Sequence, residues 1–91
     1  MKSSLRPDNR YVLAAVHGVK LDENTLRNEL TRWMNTYFGI EGLARVHPSI
    51  MRVDVGGQRV ILRCRRGEEQ SLIAGLTLCP TLSGKKARVE V

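Results

Sequence analysis

The sequence predicts an α+β fold, a four-stranded antiparallel sheet with two helices on one face, and three observations carry that expectation. Two segments place apolar residues at helical spacing, the first built on Leu26, Leu30, Trp33, Met34, Tyr37 and Phe38 and the second on Leu72, Ile73, Leu76 and Cys79. Four other segments have the length and the apolar or alternating pattern of strands. The middle two are separated by Val55-Gly56-Gly57-Gln58, a short turn whose glycines suit positive φ and a hairpin. A chain of 91 residues holds one core. Residues 10–91 are therefore read as a single domain behind a polar, basic, flexible N-terminal arm, residues 1–9.

Taken in order, the first strand runs from Arg10 to His17. Its run Tyr11-Val12-Leu13-Ala14-Ala15-Val16 is apolar throughout, which predicts a central strand covered on both faces. The first helix starts near Asp22 or Asn24, either of which suits the free N–H groups of a helix start, and Gly39 is the expected left-handed stop. Three of the four aromatic residues lie on its apolar stripe and are assigned to the core, with Trp33 as the anchor. A loop from Gly39 to Ala44 leads to a second strand between Arg45 and Val55. Met51, Val53 and Val55 are expected on one face of it, and Ile50, Arg52 and Asp54 on the other. Pro48 has no N–H for a ladder, so that strand lies at an edge or begins after the proline.

The return strand, Gln58 to Arg65, sets Val60, Leu62 and Cys64 against Arg59, Ile61, Arg63 and Arg65, giving one core face and one cationic face. Glu68 and Glu69 favour the N-terminal dipole of the second helix, which Pro80 closes. After a polar turn, Ser83-Gly84-Lys85-Lys86, the last strand alternates Ala87, Val89 and Val91 with Arg88 and Glu90. The order β-α-β-β-α-β is that of the ferredoxin-like split βαβ sandwich, with the first and third strands central.

Composition narrows the function classes. Hydrophobic residues make up 42% and charged residues 26%, the balance of an ordinary globular protein. Lys and Arg number 15 against 9 Asp and Glu, a net charge of +6 that favours a polyanionic partner such as nucleic acid. No run approaches the roughly 18 apolar residues of a membrane span, and the N-terminus has no apolar signal core, so the expectation is a cytoplasmic protein away from membranes. Cys64 and Cys79 lie in apolar periodic segments without another Cys or His at ligand spacing, and are read as buried free thiols.

Catalytic motifs are absent: there is no HExxH, no GxxxxGK phosphate loop and no GxSxG elbow. His17 and His47 have no orienting carboxylate nearby in sequence and are read as local hydrogen-bonding or surface residues. Asp54 and Glu90 are read as ion-pair partners of arginines rather than as an acid–base couple. No catalytic residue, metal ligand or protein-bound cofactor is assigned. Eleven of the fifteen basic residues are arginine, and the side of the sheet without helices is expected to carry Arg52, Arg59, Arg63, Arg65 and Arg88. A guanidinium fork donates two parallel hydrogen bonds to one phosphate. The third strand has no aromatic residue on which a base could stack, as RNA-recognition-motif sheets do, so contact by phosphate and shape is expected.

Leu5-Arg6-Pro7, Arg10-Tyr11-Val12, Phe38-Gly39 with Gly42, and Val60-Ile61-Leu62-Arg63-Cys64 after a glycine turn resemble, in order and spacing, the family of ribonuclease P protein component 2, the archaeal and eukaryotic Pop-five type. The resemblance covers Leu5 to Val91, and departs from the family where the sequence stops, since members usually continue into a Ser-Gly-Thr segment and often a basic tail. It implies a subunit of the ribonucleoprotein that removes the 5′ leader from precursor tRNA, in which the RNA performs the hydrolysis with bound magnesium. The partners implied are ribonuclease P RNA, precursor tRNA and ribonuclease P protein component 3, the last meeting Ile50 and Ile61 on the open face or the end of the first helix. On this reading the expected phosphate contacts are Arg6, Arg10, Arg59, Arg63, Arg65, Arg66, Lys85 and Lys86.

A rival reading makes the domain a non-catalytic protein-interaction module whose open face is the contact of a homodimer and whose charge is incidental. An acylphosphatase-like enzyme on the same fold would need an anion-cradling loop with an arginine after the first strand, which His17-Gly18-Val19-Lys20 does not supply.

Overall fold

Alternation decides which side of the sheet the helices cover. In the computed structural model, which describes residues 9–91, strand β1 (Asn9–His17) buries Val12, Ala14 and Val16, and strand β3 (Arg59–Arg65) buries Val60, Leu62 and Cys64. These two strands are antiparallel and central in a sheet of order β2-β3-β1-β6, with β2 (Ser49–Asp54) and β6 (Arg88–Glu90) at its edges. Helices α1 (Glu23–Val46) and α2 (Glu69–Thr77) pack on the buried side through Leu26, Leu30, Met34, Leu72 and Leu76. The result is the expected ferredoxin-like sandwich. Most of the predicted N-terminal arm, including Arg6, lies outside the described residues.

Strand β1 is central but not covered on both faces. Tyr11 and Leu13 are 61% and 58% exposed, because they project from the side that carries no helix. Strand β2 also departs from its expected facing. Its register against β3 slips between Ile50 and Arg52, so that Ile50 lies opposite Leu62 and Val53 opposite Val60, and both pack against the core. A bulge sets two residues against one, and strict alternation fails across it. Met51 is left exposed, and Ile50 belongs to the helix side rather than to the open face. The strand starts at Ser49, after Pro48, and not at Arg45.

Helix α1 runs past its expected stop. Gly39 has φ 69° and ψ −174°, but helical turns resume after it and reach Val46, so the segment read as a loop to Ala44 is helical. The second piece brings Val46 fully into the core. His47, at φ 52°, ends the helix and donates its N–H to the Leu43 carbonyl at 2.7 Å, just before Pro48. A Cβ added at Gly39 would meet nothing within 4 Å, so any penalty there comes from the backbone alone. That conformation is essentially restricted to glycine, and Gly39→Ala is expected to cost about 1–3 kcal/mol in urea unfolding. An unchanged midpoint would show that the kink is not required.

The aromatic stripe closes α1 onto α2. Trp33 Nε1–H donates to the Gly75 carbonyl at 2.8 Å, and a Cβ at Gly75 would come within 3.0 Å of the Tyr37 and Phe38 rings. Residues Ser83 to Lys86, expected as a plain turn, belong to a small hairpin of β4 (Thr81–Leu82) and β5 (Lys85–Lys86), anchored in the core by Leu82.

The turn between β2 and β3 is held by Gln58 rather than by its glycines. Gln58 itself takes the left-handed conformation, at φ 50°, whereas neither Gly56 nor Gly57 has positive φ. Its side chain is buried and fully used. Nε2 donates to the Leu21 carbonyl at 3.0 Å and the Val55 carbonyl at 2.8 Å, while Oε1 accepts the Leu21 N–H at 3.0 Å. The Gln58 carbonyl accepts the Val16 N–H at 2.8 Å. One residue thus ties the hairpin, the end of β1 and the loop entering α1.

Cys64 and Cys79 are buried free thiols, as expected. Burial pushes both thiols up, with Glu69 and Glu68 adding to the effect at Cys64 and a backbone hydrogen bond at Thr81 opposing it at Cys79. The folded state therefore favours the protonated form, and this contribution to stability holds at neutral pH and is lost as pH climbs above the ordinary thiol range. Iodoacetamide at about pH 8 is expected to leave both thiols unlabelled in the folded protein and to modify them on unfolding. Rapid native-state labelling would contradict this.

Candidate nucleic-acid interface

The antiparallel register lays the open face out in rows. Across β1 and β3 the rows are Asn9 with Arg65, Tyr11 with Arg63, Leu13 with Ile61 and Ala15 with Arg59. Strand β2 adds Arg52 beside Ile61 and Asp54 beside Arg59, and β6 adds Glu90 beside Ala15 and Arg88 beside His17. Five arginines therefore share this face with an apolar strip of Tyr11, Leu13 and Ile61. A shallow depression of about 430 Å³ lies over the strip, lined by Leu13 and Ile61 together with Arg52, Asp54 and Arg59.

The two acids of this face do not neutralise its arginines, contrary to the expectation for them. Glu90 Oε1 lies 2.9 Å from His17 Nε2 instead. Among the described residues, neither Asp54 nor any of Arg52, Arg59, Arg63, Arg65, Arg66 and Arg88 forms an ion pair. On the helix side the arginines are matched: Arg27 to Glu23 at 3.2 Å, Arg32 to Glu29 at 3.9 Å and Arg45 to Glu68 at 2.6 Å. Among the described residues the paired arginines thus lie on the helix side, and the arginines of the open face are without an acid.

Of the residues expected to meet phosphate, the structure brings Arg59, Arg63 and Arg65 together, and Arg66 follows in the turn after β3. Arg10 has the parity of Val12 and pairs with Glu69 Oε2 at 3.4 Å, which places it on the helix side. Lys85 and Lys86 are exposed on β5, off the four-stranded sheet. Arg6 lies outside the described residues.

Residues 8–91 match the Rpp14/Pop5 family. The chain belongs to the Rpp14/Pop5 family. A similar protein is ribonuclease P protein component 2 of Methanocorpusculum labreanum, 35% identical in an alignment 88 residues long that covers 92% of this chain and 56% of the relative. The chain spans little more than half of that relative's length. Among the described residues of this Rpp14/Pop5 chain, no group of three or more His, Cys, Asp and Glu side chains is placed to hold a metal ion, and no helix is long and apolar enough to cross a membrane. What the open face offers chemically is a set of hydrogen-bond forks and an exposed aromatic ring.

Proposed function

We propose that this chain is a protein subunit of ribonuclease P, binding and stabilising the catalytic RNA that removes the 5′ leader from precursor tRNA. The observation that carries the reading is the uncovered sheet face with Arg52, Arg59, Arg63, Arg65 and Arg88 unpaired among the described residues, in a member of the Rpp14/Pop5 family. Folding an RNA crowds phosphates together. Guanidinium groups laid against them lower that repulsion and release condensed counterions without any reacting group on the protein. In this reading the RNA, with its magnesium, carries the hydrolysis. The partners are that RNA, precursor tRNA and ribonuclease P protein component 3, in the cytoplasm.

The test is reconstitution of precursor-tRNA cleavage from the RNA and the other subunits, with and without this chain. Adding it is expected to raise the cleavage rate or lower the magnesium requirement. If both stay unchanged, the reading falls. A protein-docking role for the same face, suggested by the exposed Tyr11 and Leu13, would instead show as a salt-insensitive homodimer without RNA affinity.

A further inference from the structure

The open face is not uniformly cationic. Tyr11 stands in the row with Arg63, one row from Arg65 on one side and from Leu13 and Ile61 on the other. Strand β6 pairs with β1 only at Ala15, Val16 and His17, so it does not extend alongside Tyr11. The other aromatic rings have partners: Trp33 and Tyr37 lie 5.8 Å apart between centroids, and Tyr37 and Phe38 lie 5.0 Å apart. Tyr11 has neither a ring partner nor a hydrogen bond among the described residues. A large ring held 61% exposed on a central strand, beside arginines with no acid to match, has no partner among the described residues.

Such a ring gains from a nucleobase only when the base's flat face is free. A duplex presents phosphates but hides those faces in its stack, whereas an unpaired nucleotide presents both. We propose that Tyr11 is a stacking platform for one unpaired base and that the open face takes single-stranded rather than duplex RNA. Arg63 and Arg65 hold the flanking phosphates, and Leu13 and Ile61 form an apolar floor beside the stacked base. Because every base has a π-face, the platform tolerates sequence. This rests on the RNA-binding reading of the same face, and it adds the aromatic that β3 lacks from the neighbouring strand β1.

The test is fluorescence titration with a short single-stranded oligouridylate carrying one 2-aminopurine, beside an RNA hairpin whose loop is a non-nucleotide linker and whose paired stem carries the same probe. The unaltered protein is expected to quench the probe in the single strand and to bind that strand more tightly than the hairpin. Tyr11→Ala is expected to weaken single-strand binding about tenfold and remove the quench while leaving hairpin binding and the salt dependence unchanged, and Tyr11→Phe keeps both signals. The proposal is overturned by an absent quench with the unaltered protein, by unchanged single-strand affinity in Tyr11→Ala, or by Tyr11→Phe behaving like Tyr11→Ala. Arg63→Gln and Arg65→Gln separate the two readings. Should they weaken both RNAs while Tyr11→Ala alters neither, stacking is refuted and the phosphate-binding face stands. If no variant alters binding of either RNA, both readings fail together.

Discussion

Replacing Arg59, Arg63 and Arg65 together with glutamine is expected to lower affinity for ribonuclease P RNA about a hundredfold, while the same replacement of Arg27, Arg32 and Arg45 changes it little. Each exposed charge-assisted contact is worth roughly 1 kcal/mol, and three of them multiply to that order. The two triple variants lose the same net charge, so long-range attraction falls equally in both. They differ in geometry. The first set lies in register along β3 with no acid attached, whereas each member of the second is held by a glutamate on the helix side. The slope of log affinity against log salt should fall by about 2–3 in the open-face variant, because three phosphates lose their counterion-releasing partners. Equal losses from both triples, in proteins with unchanged circular dichroism, would show that charge alone attracts the RNA and that the sheet face has no special part.

How much of this face was legible in the sequence depends on the strand. On β3 the alternation of Val60, Leu62 and Cys64 with Arg59, Ile61, Arg63 and Arg65 is a polarity pattern, and it placed three of the face's arginines correctly. On β1 both parities are apolar, so periodicity could not separate Tyr11 and Leu13 from Val12 and Ala14. The signal that could have found them was topological: a central strand in a sheet with helices on one side must leave every second residue open. Strand β2 misled for a different reason, since a bulge leaves no mark in the order of residue types: it moved Ile50, which precedes it, to the helix side, while Arg52, Val53 and Asp54 kept their expected faces. The helix break at Gly39 was half legible. Its positive φ was foreseen, but the burial of Val46 that draws the chain back into helix is a tertiary effect.

Gln58→Leu is expected to destabilise the fold by about 3 kcal/mol, with Gln58→Gly losing less, and this order identifies what holds the site's edge in place. Leucine keeps the bulk but removes three hydrogen bonds, leaving the Leu21 N–H and carbonyl without their side-chain partners at a cost of about 1–3 kcal/mol each if they stay dry. Leucine also keeps the left-handed strain of φ 50°. Glycine loses the same bonds but relieves that strain, which recovers about 1 kcal/mol. Urea unfolding measures the totals, and hydrogen exchange at the Leu21 amide reports the local loss. A glycine variant at least as stable as the unaltered protein would mean that backbone conformation dominates and that the side-chain clamp is dispensable. The clamp matters to the RNA face because Arg59 follows Gln58 directly and pairs with Ala15 on one side and Asp54 on the other. With the turn unfastened from Leu21 and Val55, the Arg59 end of the arginine row is free to fray while Arg63 and Arg65, farther along β3, keep their places. Gln58→Leu should therefore weaken RNA binding only by the share that Arg59 contributes, a severalfold loss on a background of greatly reduced stability.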